Sequence, residues 1–310
     1  MTHAKIIPLR RLPKDIETFD YSVPEELQDK IRPGQLVTIP FRKSDILGLV
    51  LTINPSIRSN APRHGGEGSA FNNADAPALK SITSIINESP LLSEVHLNLL
   101  LKLSRWYGVS LGTLALWRLP PLKKRKLRAM TLEYLETRAC QFNPSPSIGE
   151  SAGEVCDSAH SSTMFQPSII YHHYANEQEH INSLSFDTSG HTLILVPLVY
   201  FIDEVYKLLT PETREQTLIW HGELSEKEQF DRWVQIRNGK KKIIIGTRSA
   251  VFLPFPKLDR IIIDYEHDEN HKHWDQAPRF HVKDIAKELA HILGAELHLM
   301  SYTQSCDSYF

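Results

Sequence analysis

From Ala4 to Ile53 the apolar positions come in short runs broken by Pro and Gly, as in Gln35 to Pro40 and Ile46 to Leu51. Runs this short, closed by turn residues, predict strands rather than helices, so this stretch reads as a small β-rich unit. Residues 54–78 carry few bulky apolar side chains among Pro, Asn, Gly, Ser and Ala, and predict a mobile loop between strands. Another strand is predicted over Lys80 to Ile86, and Ser93 is placed to cap a helix through Leu97, Leu100, Leu101 and Trp106. Residues 141–163 are rich in Ser, Pro and Gly without periodicity, which predicts a linker. Beyond Phe165 the pattern changes. Apolar runs at Ser168 to Tyr171, His191 to Val196, Lys242 to Ile245, Arg260 to Asp264 and Glu296 to Met300 alternate with amphipathic segments. That alternation predicts a parallel sheet covered by helices, in which ligands sit at the carboxyl ends of the strands. Gly246 to Ala250, Asp264 to His267 and Ser301 to Gln304 each follow a strand and are expected to share one site. The predicted class is α+β and multidomain, with units at 1–122 and 165–310 joined by a tether at 123–164.

A chain of 310 residues has room for two such cores. It has neither an apolar run of spanning length nor a signal-peptide pattern, so a soluble cytoplasmic protein with no membrane partner is expected. Cys140, Cys156 and Cys306 are far apart, which argues against both a disulfide framework and a cysteine zinc cluster. The formal net charge of −2 hides an asymmetry: residues 1–130 hold 19 basic against 11 acidic side chains, and the remainder 16 against 26. A basic first half suggests contact with a polyanion. The compact run from Leu122 to Arg128, with Lys123, Lys124 and Arg125, is a candidate for phosphate contact.

In the second half, His221-Gly-Glu-Leu-Ser225, Trp233, Gly239, Ile243 to Phe252, Pro254-Phe255, Ile261 to Asp268, Lys272, Pro278 to His281 and Asp284 to Ala286 follow one another in an order that resembles the first motor lobe of the PriA family. That family comprises superfamily 2 DNA helicases of bacterial replication restart, and the likeness implies a single RecA-like α/β lobe. The first half is similar to the family's 3′-end-binding domain at Phe19-Asp-Tyr21, Pro33-Gly34, Val37, Pro40-Phe41, Gly48, Leu79-Lys80, Pro90 to Leu92 and Trp106-Tyr107. The resemblance implies that Asp20 accepts a hydrogen bond from a terminal 3′-hydroxyl, that Phe19 and Tyr21 pack on base or sugar, and that Lys80 lies near phosphate. Those types suit the task, since a carboxylate is a strong acceptor and aromatic faces stack on any base. Without the family, Phe19 and Tyr21 at period two are ordinary core-facing strand residues. The family usually has Gly after Pro-Phe; here Arg42 stands there, and either blocks the nucleotide or adds a phosphate contact. Arg248 is a further candidate DNA contact on the motor lobe. The implied partners are branched or single-stranded DNA, restart proteins, single-stranded-DNA-binding protein and the helicase-loading machinery.

The motor motifs depart from the family. Where a Gly-rich phosphate loop belongs, the chain has Tyr171 to His180, with Glu177 and Glu179 set to repel phosphate. The Asp-Glu-Glu-His motif survives as Asp264-Tyr265-Glu266-His267, and Tyr265 is too weak a base to prepare water for attack. Ser-Ala-Thr-Pro has become Ser301-Tyr-Thr-Gln304. Asp264, Glu266 and His267 are therefore read as motif remnants, no second lobe is expected, and the family's winged helix is expected to be shortened or lost within 123–164. The resemblance implies ATP and magnesium as cofactors; these departures predict that both are lost, leaving a DNA-binding protein without ATP-driven unwinding. Two alternatives remain: a regulatory nucleotide- or protein-binding module, and a metal site built from His267, His271 and His273.

Overall fold

The computed structural model describes residues 2–12, 17–54, 79–121, 127, 167–184, 188–275 and 277–306. It divides into two compact units, Met1–Tyr134 and Leu135–Phe310. The tether at 123–164 lies outside the described residues except for Leu127, which is buried and whose carbonyl accepts a hydrogen bond from Asn87. The loop at 55–78 and Lys123, Lys124 and Arg125 also lie outside them.

The first unit is built on a strand that the apolar pattern did not single out, β1 (His3–Pro8). It pairs antiparallel with β2 (Phe19–Ser22) on one side and β4 (Ser44–Asn54) on the other. β3 (Leu36–Phe41) leads into β4 through a tight turn, and β5 (Ser84–Ile85) closes the order β2-β1-β4-β3-β5. Ala4, Ile6, Tyr21, Val37, Ile39 and Val50 point into one apolar cluster, as alternation along paired strands requires. The strand predicted over Lys80 to Ile86 is mostly irregular, reduced to two residues and one bridge at Ser81. Two of the resemblance's glycines are explained here. Gly34 has φ +81°, and a Cβ there would collide with the Leu92 carbonyl; a Cβ at Gly48 would meet Ile6.

The helix α1 (Glu94–Tyr107) begins where Ser93 predicted, but the Ser93 hydroxyl contacts the His96 ring at 3.0 Å instead of a backbone N–H. Its buried stripe runs through Leu97, Leu100, Leu103 and Ser104. Trp106 falls off it and is exposed, with the Lys102 ammonium 4.8 Å from its ring centroid. A second helix, α2 (Leu111–Arg118), packs against α1.

The second unit is an all-parallel sheet: β6 (Ile169–His173), β7 (Thr192–Leu195), β8 (Thr217–Trp220), β9 (Ile243–Gly246), β10 (Arg260–Ile263) and β11 (Glu296–Ser301), in the order β6-β11-β10-β7-β9-β8. The five predicted strands are present. The sixth, β8, escaped notice because it lies at an edge, where only Thr217 and Leu218 are buried and the apolar run is short. Ile194, Ile243, Ile245 and Ile262 form the sheet's side of a core to which Ile202 and Val205 add from the helix Val199–Lys207. Ser225 caps the helix Glu226–Arg237 in a reciprocal box with Glu228, which fixes Trp233 in the core. The expected class is the one observed: an antiparallel β unit followed by a parallel α/β unit of RecA-like type. Among the described residues no helix is long and apolar enough to cross a membrane.

Candidate functional site

In the first unit the edge strand β2 presents its three aromatic-acidic residues in different ways. Asp20 is exposed, opposite the exposed Lys5 in register. Tyr21 points inward, 4% exposed, and its hydroxyl donates to the Pro40 carbonyl at 3.3 Å. Phe19 is half-buried, edge-on to Phe41 with centroids 5.4 Å apart. Lys80 comes to this edge through the backbone: Ser22 N–H donates to the Lys80 carbonyl at 3.0 Å, and Ile82 N–H returns to Ser22 at 3.1 Å. Residues nearly sixty positions apart thus share one sheet edge. Lys5 was missed by sequence reasoning; its signal was its exposed place in the alternation of β1.

Arg42 occupies the turn between β3 and β4 at φ +54°, with its guanidinium 5.9 Å from the Phe41 ring centroid. That left-handed backbone accounts for the family's glycine at this place. Arg42→Gly should therefore stabilise the first unit by about 1 kcal/mol, read as a higher midpoint in urea; an unchanged or lower midpoint would mean that the ring contact outweighs the backbone strain.

In the second unit the carboxyl ends of β6, β10 and β11 converge on Asp264, which is fully buried. Its carboxylate accepts from His180 Nε2 at 2.8 and 3.0 Å, from the Tyr174 hydroxyl at 3.3 Å and from Tyr265 N at 3.0 Å. Its carbonyl accepts from His271 Nε2 at 2.8 Å. The Tyr174 and His180 rings stack at 4.4 Å, and Tyr302 closes edge-on to Tyr174 at 4.3 Å. Burial and the Asp264 charge push both the Tyr174 and Tyr265 phenols upward, so Tyr265 is still less able to take a proton from water. Tyr265 sits in the left-handed region at φ +51°.

Two backbone amides around the start of the helix Glu177–Ser183, one before its N-cap and one in its first turn, are bonded to side chains. Asn176 Oδ1 accepts from Glu179 N at 3.0 Å, and Glu179 Oε2 accepts from Ala175 N at 2.8 Å. The Glu179 carboxylate thus caps the amide just before the helix, and its charge disfavours a further anion at that N-terminus. Glu266, 2% exposed, is committed as well: Oε1 accepts from Ser305 N at 2.8 Å, and Oε2 from Lys283 Nζ and Ser305 Oγ, both at 2.9 Å. Burial alone would raise this carboxyl, but the Ser305 and Lys283 donors outweigh it and hold it low.

The remaining candidates are dispersed. His267 is exposed; His271 is fully buried beneath Asp264; His273 Nδ1 donates to the Pro278 carbonyl at 2.9 Å, its ring stacked on Phe280. Among the described residues no group of three or more His, Cys, Asp or Glu is placed to hold a metal, so these three histidines do not form one site. Arg248 donates to the Asn270 carbonyl at 3.2 Å, linking the loop after β9 to the loop after β10. Tyr174, His180 and Tyr302, which close the site, lie within the stretches Tyr171 to His180 and Ser301 to Gln304 that the sequence singled out, but none was named as a site residue.

Residues 11–120 match the family model of a DNA-binding domain, described as the PriA 3′DNA-binding domain (3′BD). The chain is PriA-like across this region. Its relatives include the replication restart protein PriA of Synechocystis sp., 34% identical over 117 residues, which cover 38% of this chain and 14% of that protein. PriA of Bacillus subtilis is 32% identical over 117 residues, with the same shares, and PriA of Buchnera aphidicola 39% over 94 residues, 30% and 13%. The chain thus matches about one seventh of the length of these relatives. Among solved structures, the C-terminal domain of the DEAD-box protein Dbp5 aligns at 18% identity over 46% of this chain and 80% of that one, with a TM-score of 0.33.

Proposed function

We propose that the chain binds the 3′ end of DNA exposed at a branched or stalled fork and serves replication restart without hydrolysing ATP. The observation that carries the reading is the β2 edge: an exposed Asp20 on the strand whose Ser22 pairs with the Lys80 backbone, within a stretch that matches a 3′DNA-binding domain. Asp20 accepts the terminal hydroxyl, Phe19 and Arg42 flank the sugar and phosphate, and Tyr21 braces the strand from within. Single-stranded-DNA-binding protein and helicase-loading proteins are the partners that such a role requires.

Fluorescence anisotropy on forked DNA tests this. Asp20→Ala should weaken binding to a 3′-hydroxyl end about tenfold, as expected for one charge-assisted hydrogen bond, while a 3′-phosphate end is bound equally by both proteins. Equal affinity of the unaltered chain for the two ends would refute end recognition.

The passive motor rests on different support: the Ala175 and Glu179 amides taken by Glu179 and Asn176 side chains, and His180 seated on Asp264. Phosphoryl transfer needs a phosphate cradle and a positioned water together. Phosphate release should stay at background with or without DNA, and Tyr265→Glu should not restore it. Hydrolysis stimulated by DNA and abolished by Asp264→Ala would overturn this reading.

A further inference from the structure

On the solvent face of the first unit's sheet, the polar surface continues inward from Asp20. Lys5 of β1 stands directly opposite Asp20 on one side and Thr52 of β4 on the other, so three exposed side chains form one row across neighbouring strands. The next row is uncharged at neutral His3: that residue lies opposite Ser22 and Asn54, and the Ser22 and Ser81 hydroxyls meet at 2.7 Å. Directly opposed side chains on an antiparallel pair leave the sheet about 5 Å apart at Cβ. Lys80 joins this edge two residues further along, where its carbonyl accepts from Ser22 N–H. Lys5, not Lys80, is therefore the cation set opposite Asp20 in register. Among the described residues neither the Lys5 ammonium nor the Asp20 carboxylate is engaged in an ion pair or a side-chain hydrogen bond. An exposed pair of this kind gains little by closing on itself, because water and salt screen it. Both charges stay open to a ligand that brings a donor and an anion side by side.

We propose that Lys5 binds the phosphate on the 5′ side of the terminal nucleotide while Asp20 holds its 3′-hydroxyl; the assignment rests on the reading of this edge as a 3′-end site. The hydroxyl and that phosphate lie on either side of one deoxyribose, and the two side chains come from adjacent strands about 4.8 Å apart. A lysine suits the phosphate place, since its ammonium is a point charge on a flexible stem and needs no fixed approach. The row ends in uncharged Thr52, so it supplies a single positive charge and contacts one phosphate. Asp20 alone would accept a hydroxyl from any sugar; with Lys5 the face recognises a hydroxyl that terminates a chain.

Fluorescence anisotropy of the full chain tests this on a fork with a 3′-hydroxyl end whose last internucleotide phosphate is either natural or replaced by a neutral methylphosphonate. For the unaltered chain the replacement should weaken binding about tenfold, as loss of one charge-assisted hydrogen bond does. Lys5→Gln should weaken binding to the natural fork by a similar factor and be insensitive to the replacement, whereas Lys5→Arg should keep the sensitivity. Lys5→Gln should also make the slope of log affinity against log salt shallower by about 0.7, the share of one phosphate on a single strand. A methylphosphonate several linkages away should affect both proteins alike. Losses from Lys5→Gln and the terminal methylphosphonate that simply add, or a Lys5→Gln effect confined to the preference for a hydroxyl over a 3′-phosphate end, would mean that Lys5 only positions Asp20 and would overturn the contact. Failure of the 3′-end reading shows separately, as equal affinity of the unaltered chain for hydroxyl and phosphate ends, and removes the proposal with it.

Discussion

His180→Ala should destabilise the second unit by roughly 3 kcal/mol, the scale of leaving a buried carboxylate short of its hydrogen-bond donor. Asp264 has no contact with solvent, and His180 supplies its two shortest side-chain contacts. Without the imidazole the carboxylate keeps only the longer Tyr174 hydroxyl and its neighbour's amide. The stacked Tyr174 ring also loses its face. Differential scanning calorimetry of the full chain should show one transition lowered and the other unmoved, since the two units unfold on separate cores. Asp264→Asn in the same background should recover part of the loss, because a neutral amide costs less to leave under-bonded than a carboxylate. If His180→Ala leaves both transitions in place, the plug holds nothing together, and the passive motor loses its structural support.

The second large effect is on pH. His271 is fully buried, and burial holds it below the ordinary imidazole value despite the acidic groups around it. A neutral histidine of this kind favours the fold at any pH above its unfolded value, near 6.5. As pH falls below that value the unfolded chain takes up a proton that the folded chain resists, so stability declines until the folded group also titrates. The slope reaches at most about 1.4 kcal/mol per pH unit for His271. His172 and His298 are depressed in the same direction but open in part to solvent, so they add less. Glu266 behaves oppositely in origin but alike in sign: its depressed carboxyl stabilises the fold above the unfolded value, and this is lost as pH falls further. Urea midpoints for the second unit should therefore be flat above pH 7 and drop between pH 6.5 and 5, with a further drop below. His271→Gln should flatten the first part of the drop; a pH-independent midpoint down to 5 would show that His271 is protonated in the fold.

How far the sequence carried depended on the range of each interaction. The central parallel strands β9 and β10 were the most legible because each is a short continuous run of isoleucines buried on both faces, Ile243 to Ile245 and Ile261 to Ile263. β1 and β8 were not, since β1 begins at the third residue and β8 lies at a sheet edge where Trp220 is only half-buried. Trp106 shows the limit of periodicity: its spacing from Leu97 and Leu101 suits a helix, but the face it joins is turned outward. Arg42 was recognised as a departure from a glycine, yet only the turn's φ of +54° explained why glycine belongs there.

By itself the sequence determined the two architectures, the basic first half, the Phe19-Asp-Tyr21 and Lys80 candidates, and the loss of the phosphate loop and of the acid after Asp264. These are properties of local pattern and composition, set within a few residues. Only the tertiary structure decided which of the candidates meet. It separated exposed Asp20 from buried Tyr21 on the same strand, brought Lys80 to their edge by backbone pairing, and placed His180 on Asp264 across 84 positions of chain. It also dispersed His267, His271 and His273 despite their adjacency, and drew His172 to His298 from strands 126 residues apart. Side-chain chemistry can be read from a linear string, but contact depends on strand order and register, and those are fixed by burial summed over the whole sheet.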